Sequence, residues 1–170
     1  LSAHYKDSDT KVWLGGNIGR PLIDILPEIQ ANDVAVLELS SFQLLTMKKS
    51  PDISVITNIT PNHLDVHKDY EEYIEAKKNI LTYQKDDGIV VLNAKNEITK
   101  RIASECIAQS RKVRLFSVYK TGKAEFSDGA EGYAYMKEGI LEYISDSKKF
   151  DVARSTLRVP GLFNAENLLT

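Results

Sequence analysis

Short apolar runs alternate with amphipathic stretches through the first two-thirds of the chain. The runs are nearly all Val, Ile and Leu, and the stretches between them have helical spacing. Strands of a parallel sheet are apolar throughout because helices cover both faces. The pattern therefore predicts an α/β fold, a mostly parallel sheet with helices on both faces. The predicted strands are KVWLGG, DVAVLELS, DISVITNI, GIVVLN and KVRLFSV, and the predicted helices are PLIDILPEIQ, SFQLLTMKK, YEEYIEAKKNILTYQ and NEITKRIASECIAQ.

The pattern changes after about Tyr119. EGYAYMKEGILEYISD contains two strand-like runs around KEG, with Gly139 at the position where a hairpin turn favours glycine. DVARSTLRVPG has the pattern of one more strand, and FNAENLLT is typical of a helix start. A small antiparallel region over residues 119–159 is therefore expected at the end of the sheet.

Composition and charge exclude several classes of protein. The 170 residues suffice for one good core, and a net charge of -2 argues against a nucleic-acid or polybasic membrane surface. The single cysteine, Cys106, excludes an internal disulfide and fits a reducing compartment. The sequence shows neither an apolar run of about 20 residues nor a signal-peptide layout. We expect a cytoplasmic protein.

Both ends of the sequence fall inside predicted helices. LSAHYK has the character of the last turns of a helix without a preceding cap, and FNAENLLT begins a helix with no room to continue. We therefore expect the chain to be part of a longer protein.

Polar residues follow three successive predicted strands. GGNIG (Gly15 to Gly19) follows the first, Glu38 ends the second, and TNITPNHLD with His63 follows the third. Each has a simple alternative: turn glycines, a paired structural carboxylate, a surface histidine. In open α/β sheets, however, ligands bind at the carboxyl ends of strands. The three together, on successive ends of one sheet, predict a ligand site.

Lys77 is the most informative single residue. At about 100° per residue it lies near the middle of the apolar stripe of its predicted helix, whereas Lys78 lies well off it. Its stem could simply lie along apolar surface with the ammonium in water. A desolvated lysine instead has a lowered pKa and supplies a neutral amine, which can act as a base, form a Schiff base or take up carbon dioxide. A carbamate beside Glu38 and His63 would suit Mg²⁺ or Mn²⁺.

Five motifs in this order resemble the central, P-loop-like domain of the Mur ligase family: GGNIGRPL, VLELSSFQL, NITPNHLDVH, YIEAKKNI and VPGLFNAENLL. The resemblance covers nearly the whole chain. ELSSFQL is similar to the members that add D-glutamate to UDP-N-acetylmuramoyl-L-alanine. The resemblance implies transfer of the ATP γ-phosphate to a carboxylate, attack of an amine on the acyl phosphate, and release of ADP and phosphate. It also implies a monomer with no nucleic-acid or membrane partner.

The resemblance also implies roles for individual residues. Glu38 would bind the Mg²⁺ that bridges the ATP phosphates, and His63 and carbamylated Lys77 would hold a second metal ion. The implied catalytic and metal-binding residues are Lys77, His63 and Glu38; the implied substrate contacts are Asn17, Ser40 and His63; the implied nucleotide contacts are Asn164 and Asn167.

The sequence departs from the family pattern in two places. Phe163 stands where the family usually has histidine, and the Gly-rich phosphate loop with its Lys and Ser or Thr is not in these residues. The chain, residues 1–170, is therefore expected to be the central ATPase-type domain without its upstream phosphate loop. We expect it to be inactive by itself.

Three other interpretations remain open at this point. The parent protein could be a sister Mur ligase or a folylpolyglutamate synthase-like ligase, which would keep the metal residues and change the substrates. It could be a non-catalytic binding module of the same fold. It could also be a metal-dependent hydrolase using Glu38 and His63. A hydrolase would need a further cluster of carboxylates or histidines, and we expect Asp65 and His67 to be polar loop residues instead.

Overall fold

The computed structural model describes residues 5, 8–18, 21–61, 67–158 and 161–170. The chain divides into two compact units, Leu1–Thr46 and Met47–Thr170. We call them the N-terminal unit and the C-terminal unit. Each has a hydrogen-bonded sheet of its own, with two strands in the first and six in the second.

The N-terminal unit is built around two parallel strands. Strand β1 (Val12–Gly16) pairs with β2 (Val34–Glu38), and their last residues, Gly16 and Glu38, are register partners. Helix α1 (Ser41–Leu45) follows β2. The segment between the strands, predicted as a helix, is a 3₁₀ helix at Leu22–Glu28. Pro27 lies inside it, and because proline has no N–H and its ring clashes with a preceding carbonyl, an α-helix is disfavoured there.

The C-terminal unit has a mixed sheet in the order β3-β4-β5-β6-β7-β8. Its first four strands run parallel, and β7 and β8 are antiparallel to their neighbours. The strands are β3 (Ile53–Ile56), β4 (Ile89–Asn93), β5 (Lys112–Ser117), β6 (Gly132–Lys137), β7 (Ile140–Ser145) and β8 (Lys149–Ala153).

Three α-helices accompany this sheet. Helix α2 (Tyr70–Thr82) connects β3 to β4, α3 (Glu97–Ala108) connects β4 to β5, and α4 (Leu162–Leu168) follows the last strand. Asp69 and Asn96 cap α2 and α3, each accepting a hydrogen bond from a backbone N–H of the first turn. Two short 3₁₀ helices are at Lys123–Glu125 and Arg154–Thr156.

The core of the C-terminal unit lies between the sheet and the helices α2 and α3. Val90, Leu92 and Val113 from the central strands are completely buried. They share one apolar cluster with Ile74 of α2 and Ile102 of α3. The apolar runs therefore form the central strands, and the helical stripes cover them.

The antiparallel region is confirmed. Strands β6 to β8 lie within residues 119–159, and the turn between β6 and β7 has Glu138 at φ 50° and Gly139 at φ 79°. Two consecutive positive φ angles define the turn type whose twist matches a two-residue hairpin. The α/β class with a mostly parallel sheet is confirmed as well.

One expectation about the sheet differs from the structure. The strand ends were expected along one sheet, but β1 and β2 form a two-stranded sheet separate from the sheet that contains β3. Backbone hydrogen bonds decide which strands share a sheet, and an apolar run in the sequence does not reveal its partner. Within the described ranges, no helix has both the length and the apolar character needed to cross a membrane.

Candidate functional site

The carboxyl ends of β1 and β2 bring Asn17 and Glu38 together. The backbone N–H of Asn17 donates to the carbonyl of Glu38 at 2.7 Å, and its Nδ2 donates to Glu38 Oε1 at 3.4 Å. This approach requires glycine at the preceding position. Gly16 has φ +102°, and a Cβ atom there would lie 2.1 Å from the Glu38 carbonyl oxygen. Gly16, the last residue of β1, is thus required by this close approach and is more than a turn glycine.

Glu38 has the properties of an oxygen ligand for a hard cation such as Mg²⁺. Its side chain is exposed at the end of β2, and the contact from Asn17 is to one oxygen only, Oε1. A neutral amide donor leaves the carboxylate charge in place, so the group still attracts Mg²⁺ or Mn²⁺. Among the residues that the structure describes, no group of three His, Cys, Asp or Glu side chains could hold a metal ion. The candidate ligand His63 lies outside the described residues.

Ser40 has a structural task that the sequence interpretation missed. It caps α1, its Oγ accepting from the backbone N–H of Gln43 at 3.3 Å. Gln43 Oε1 in return accepts from the backbone N–H of Ser40 at 2.9 Å. This reciprocal pair is a capping box, and its signature, Ser followed three residues later by Gln, was present in ELSSFQL. The serine therefore fixes the start of α1 beside Glu38.

Lys77 lies on the apolar face of α2, as predicted. Tyr73, Ile74 and Leu81 of that face are buried, and Lys77 is half-buried among them. Its Nζ lies 5.8 Å from the centroid of the Tyr73 ring, within range of a cation–π contact. Burial raises the pKa of the Tyr73 hydroxyl, with a smaller contribution from Tyr70. The amine is thus beside a dry aromatic face.

Lys78 is held differently, although it is the next residue. It is also half-buried, contrary to its predicted place well off the stripe, because it reaches α3. Its Nζ lies 3.1 Å from Glu75 and 3.2 Å from Glu105. Burial lowers the pKa of Lys78, but the hydrogen bonds and charges of the two glutamates outweigh burial and raise it overall. Lys78 is therefore fixed as a cation, in a structural ion pair.

His67 lies in the loop before α2, as expected, but it is buried. The residue is only 4% exposed. It packs edge-on against Tyr73, with ring centroids 5.3 Å apart, and its Nδ1 lies 3.6 Å from Glu72 Oε2. His67 precedes α2 and lies outside the helical period, so nothing in the apolar pattern indicated burial. It contacts the same aromatic ring as Lys77. Asp65, the other residue of that expectation, lies outside the described part of the chain.

Helix α4 carries the two predicted nucleotide contacts. Asn164 is half-buried and Asn167 is exposed, and Phe163, which replaces the usual histidine, is 80% exposed. Ala165 between them is completely buried, in an apolar cluster that includes Val118 after β5. The predicted helix start at FNAENLLT is confirmed.

Comparison with known proteins decides the family. The sequence profile described as the Mur ligase middle domain matches residues 21–170. The chain belongs to this family. The resemblance carried by the five sequence motifs is thereby confirmed.

Similar curated proteins come from clostridia and their relatives. The chain is 44% identical over 158 residues to a UDP-N-acetylmuramoylalanine–D-glutamate ligase of Clostridium tetani, covering 93% of the chain and 31% of that protein. It is 44% identical over 165 residues to the ligase of the same name from Acetivibrio thermocellus, covering 96% and 33%. The chain thus spans about a third of the length of these relatives.

Solved Mur ligase structures share the fold. A MurF structure from Acinetobacter baumannii matches with a TM-score of 0.57 and 15% sequence identity, over 96% of this chain and 42% of that one. MurF from Thermotoga maritima, solved in complex with ADP, matches with a TM-score of 0.50 and 15% identity, over 84% and 39%. At this identity the likeness shows the fold alone.

Proposed function

We propose that the chain is the central domain of an ADP-forming ligase that joins D-glutamate to UDP-N-acetylmuramoyl-L-alanine, a step of peptidoglycan precursor synthesis. The observation that carries this proposal is the 44% identity, over more than nine-tenths of the chain, to ligases named for D-glutamate addition. The pairing of Asn17 with Glu38 at a strand end, where α/β folds bind ligands, supports it.

The proposed reaction has two steps. The γ-phosphoryl group of ATP passes to the substrate carboxylate, giving an acyl phosphate and ADP. The amine of D-glutamate then attacks the carbonyl carbon, and the tetrahedral intermediate expels phosphate and leaves the amide, with the amine proton lost to a base. Negative charge is concentrated on phosphate oxygens in both steps, so fixed donors and cations should provide most of the acceleration.

Glu38, His63 and Lys77 would hold divalent cations, Mg²⁺ or Mn²⁺. Bound there, a cation would offset the charge of the phosphate oxygens. The exposed carboxylate of Glu38 supports this assignment. Lys77 contributes an anionic oxygen only after its neutral amine adds to carbon dioxide, forming a carbamate and releasing a proton. Its half-buried place on the apolar face of α2, beside the buried ring of Tyr73, supports that role.

Asn17, Ser40 and His63 are the proposed contacts to the UDP-sugar substrate. Asn17 and Ser40 flank Glu38, the first by a hydrogen bond and the second two residues along the chain. Asn164 and Asn167 are the proposed contacts to the adenine nucleotide. Their amides offer both a donor and an acceptor, which suits the edge of a base.

The test is ADP release by the complete gene product with ATP, Mg²⁺ and UDP-N-acetylmuramoyl-L-alanine. D-glutamate is compared with L-glutamate, D-alanine and L-lysine, and the 170-residue chain is assayed alongside. We expect turnover only with D-glutamate and none from the isolated chain. Turnover with another amino acid would move the protein to a sister ligase, and no turnover at all would favour a binding module.

A further inference from the structure

Asn93, the last residue of β4, joins two elements through one buried side chain. It is 5% exposed, and its Nδ2 donates to the carbonyl of Thr57 at 2.9 Å and to Glu166 Oε1 at 3.3 Å. Its Oδ1 accepts from the backbone N–H of Lys95 at 2.8 Å. Because that N–H can only donate, the orientation of the Asn93 amide is determined. Both of its amide hydrogens then have acceptors.

The position of Asn93 is fixed from the other side as well. The backbone carbonyl of Asn93 accepts from Thr99 Oγ1 at 2.6 Å, and Thr99 is completely buried in the first turn of α3. The backbone N–H of Thr99 in turn donates to the capping residue Asn96 at 3.0 Å. These hydrogen bonds thus fix the position of Asn93 at the carboxyl end of β4.

Helix α4, which contains Glu166, depends on contacts with a fixed residue of this kind. It has seven residues, and its N-cap, Gly161, offers no side-chain hydrogen bond. Helices this short are marginal without tertiary contacts. Ala165 packs into the apolar cluster, with Leu162 and Leu169 against it, and Glu166 adds the hydrogen bond that it accepts from Asn93. Since neighbouring residues point about 100° apart around a helix, the two contacts together fix its rotation.

We propose that Asn93 and Glu166 form a positioning pair that holds α4 in the rotation at which Asn164 and Asn167 meet the adenine nucleotide. The inference rests on the proposed function, because it assumes the nucleotide role of those asparagines. Glu166 acts through the helix that it anchors. Its effect should therefore fall on nucleotide affinity and leave the other substrates untouched.

The test compares variants of the complete gene product. Glu166→Asp keeps the charge but withdraws the acceptor by one methylene, Glu166→Ala removes it, and Glu166→Gln keeps an oxygen that can accept from Asn93. Glu105→Ala is the matched control, because Glu105 lies at the far end of α3 and contacts Lys78. Binding of a non-hydrolysable ATP analogue is measured by calorimetry, together with kcat, each KM and the melting temperature.

We expect Glu166→Asp and Glu166→Ala to weaken analogue binding and raise the KM for ATP by about tenfold, the scale of one hydrogen bond to a charged group. The KM for the UDP-sugar and kcat should stay within about twofold, as for substitutions that weaken binding equally in the ground state and the transition state. Glu166→Gln and Glu105→Ala should bind the analogue like the wild type. Glu166→Asp keeps the test decisive if Glu166→Ala fails to fold.

Two outcomes would overturn the inference, and an added Asn164→Ala variant separates them. If Asn164→Ala weakens analogue binding while Glu166→Asp changes only the melting temperature, the pair is structural and the proposed function stands. If Asn164→Ala also leaves binding unchanged, the nucleotide role of α4 is wrong and the positioning role is wrong with it.

Discussion

The two units hold their polar groups by different means. In the N-terminal unit one half-buried carboxylate connects three segments of the chain. Asp33 accepts from the backbone N–H of Lys11 at 2.9 Å, from Trp13 Nε1 at 2.8 Å and from the backbone N–H of Gln30 at 2.9 Å. Large apolar side chains there remain in contact with water, Leu26 being 57% exposed. Hydrogen bonds to this one carboxylate, two of them between residues at least 20 positions apart, hold the unit together.

The C-terminal unit relies on a core. Its central strands place Val90, Leu92 and Val113 entirely out of water, and buried polar groups such as Asn93 have partners. Lys77 is on α2, which packs against this core, and Asn164 is on α4, which packs in a separate apolar cluster with Val118. Substitutions of the candidate residues should therefore act differently within each unit: through hydrogen-bond geometry in the first, and through packing as well as chemistry in the second.

Leu92→Ala should give the largest stability effect. Removing a fully buried leucine side chain in the core of the C-terminal unit should cost about 3 kcal/mol, through lost burial and the cavity left behind. Leu26→Ala in the N-terminal unit should cost less than about 0.5 kcal/mol, as surface changes usually do. Urea unfolding followed by circular dichroism measures both. Similar losses of unfolding free energy at the two positions would contradict the difference in packing between the units.

Gly16→Ala should be the most damaging small change in the N-terminal unit. The added Cβ would meet the Glu38 carbonyl at a backbone φ of +102°, so we expect a loss of about 1–3 kcal/mol. Gly122→Ala, with no atom within 4 Å of the new Cβ, is the control and should be nearly neutral. Unfolding of both variants is followed by circular dichroism, and the fluorescence of Trp13, the single tryptophan, reports on the N-terminal unit. An unchanged midpoint for Gly16→Ala would contradict the observed approach of the two strand ends.

Lys78→Ala should cost about 0.5–1 kcal/mol, the upper part of the range for ion pairs at a protein surface. The raised pKa of Lys78 sets the sign of its pH dependence. The contribution is fully present below the ordinary value of 10.5 and is lost as pH rises through the raised folded value. The wild type and the variant should thus converge in stability at strongly alkaline pH. Lys100→Ala, which breaks a more exposed pair with Glu97, should have a smaller effect, and the reverse order would count against the Lys78 assignment.

The pH response of Asp33 in the wild type should be the smallest effect, because it is confined to acid. Hydrogen bonds from Gln30, Trp13 and Lys11 lower its pKa below the ordinary 3.8. Its contribution is therefore present above that value and lost as pH falls through the folded pKa. In the wild type, Trp13 fluorescence should change in that acid range, and Asp33→Ala should abolish the change. A transition that persists in the variant would show that another group controls it.

The sequence predicted the parts of the fold that depend on local patterns. The strands β3, β4 and β5, the stripe of α2 and the hairpin at Gly139 followed from spacing and turn chemistry. The separation of β1 and β2 into their own sheet did not, because pairing is a long-range property. The 3₁₀ helix followed from Pro27, whose effect was overlooked.

The candidate site was predictable only in part. Strand ends indicated Glu38 and its neighbourhood, and the helical period indicated Lys77. Burial of His67 and the link from Asn93 to Glu166 had no local pattern, since each joins residues from different elements. The placement of His63 stays a prediction because it lies outside the described residues.

The central claim is that Lys77, and not its neighbour, has a chemical role in an amide ligase. The most direct test is ADP formation by the complete gene product with D-glutamate, comparing Lys77→Ala with Lys78→Ala, each with and without added formate or acetate. We predict that Lys77→Ala loses at least about a hundredfold in rate, within the range for loss of an essential polar catalytic group. Added carboxylate should restore part of that activity, because it replaces the anionic oxygen of the carbamate. Lys78→Ala should stay close to the wild type, whereas equal losses at both positions, or no recovery with carboxylate, would contradict the account.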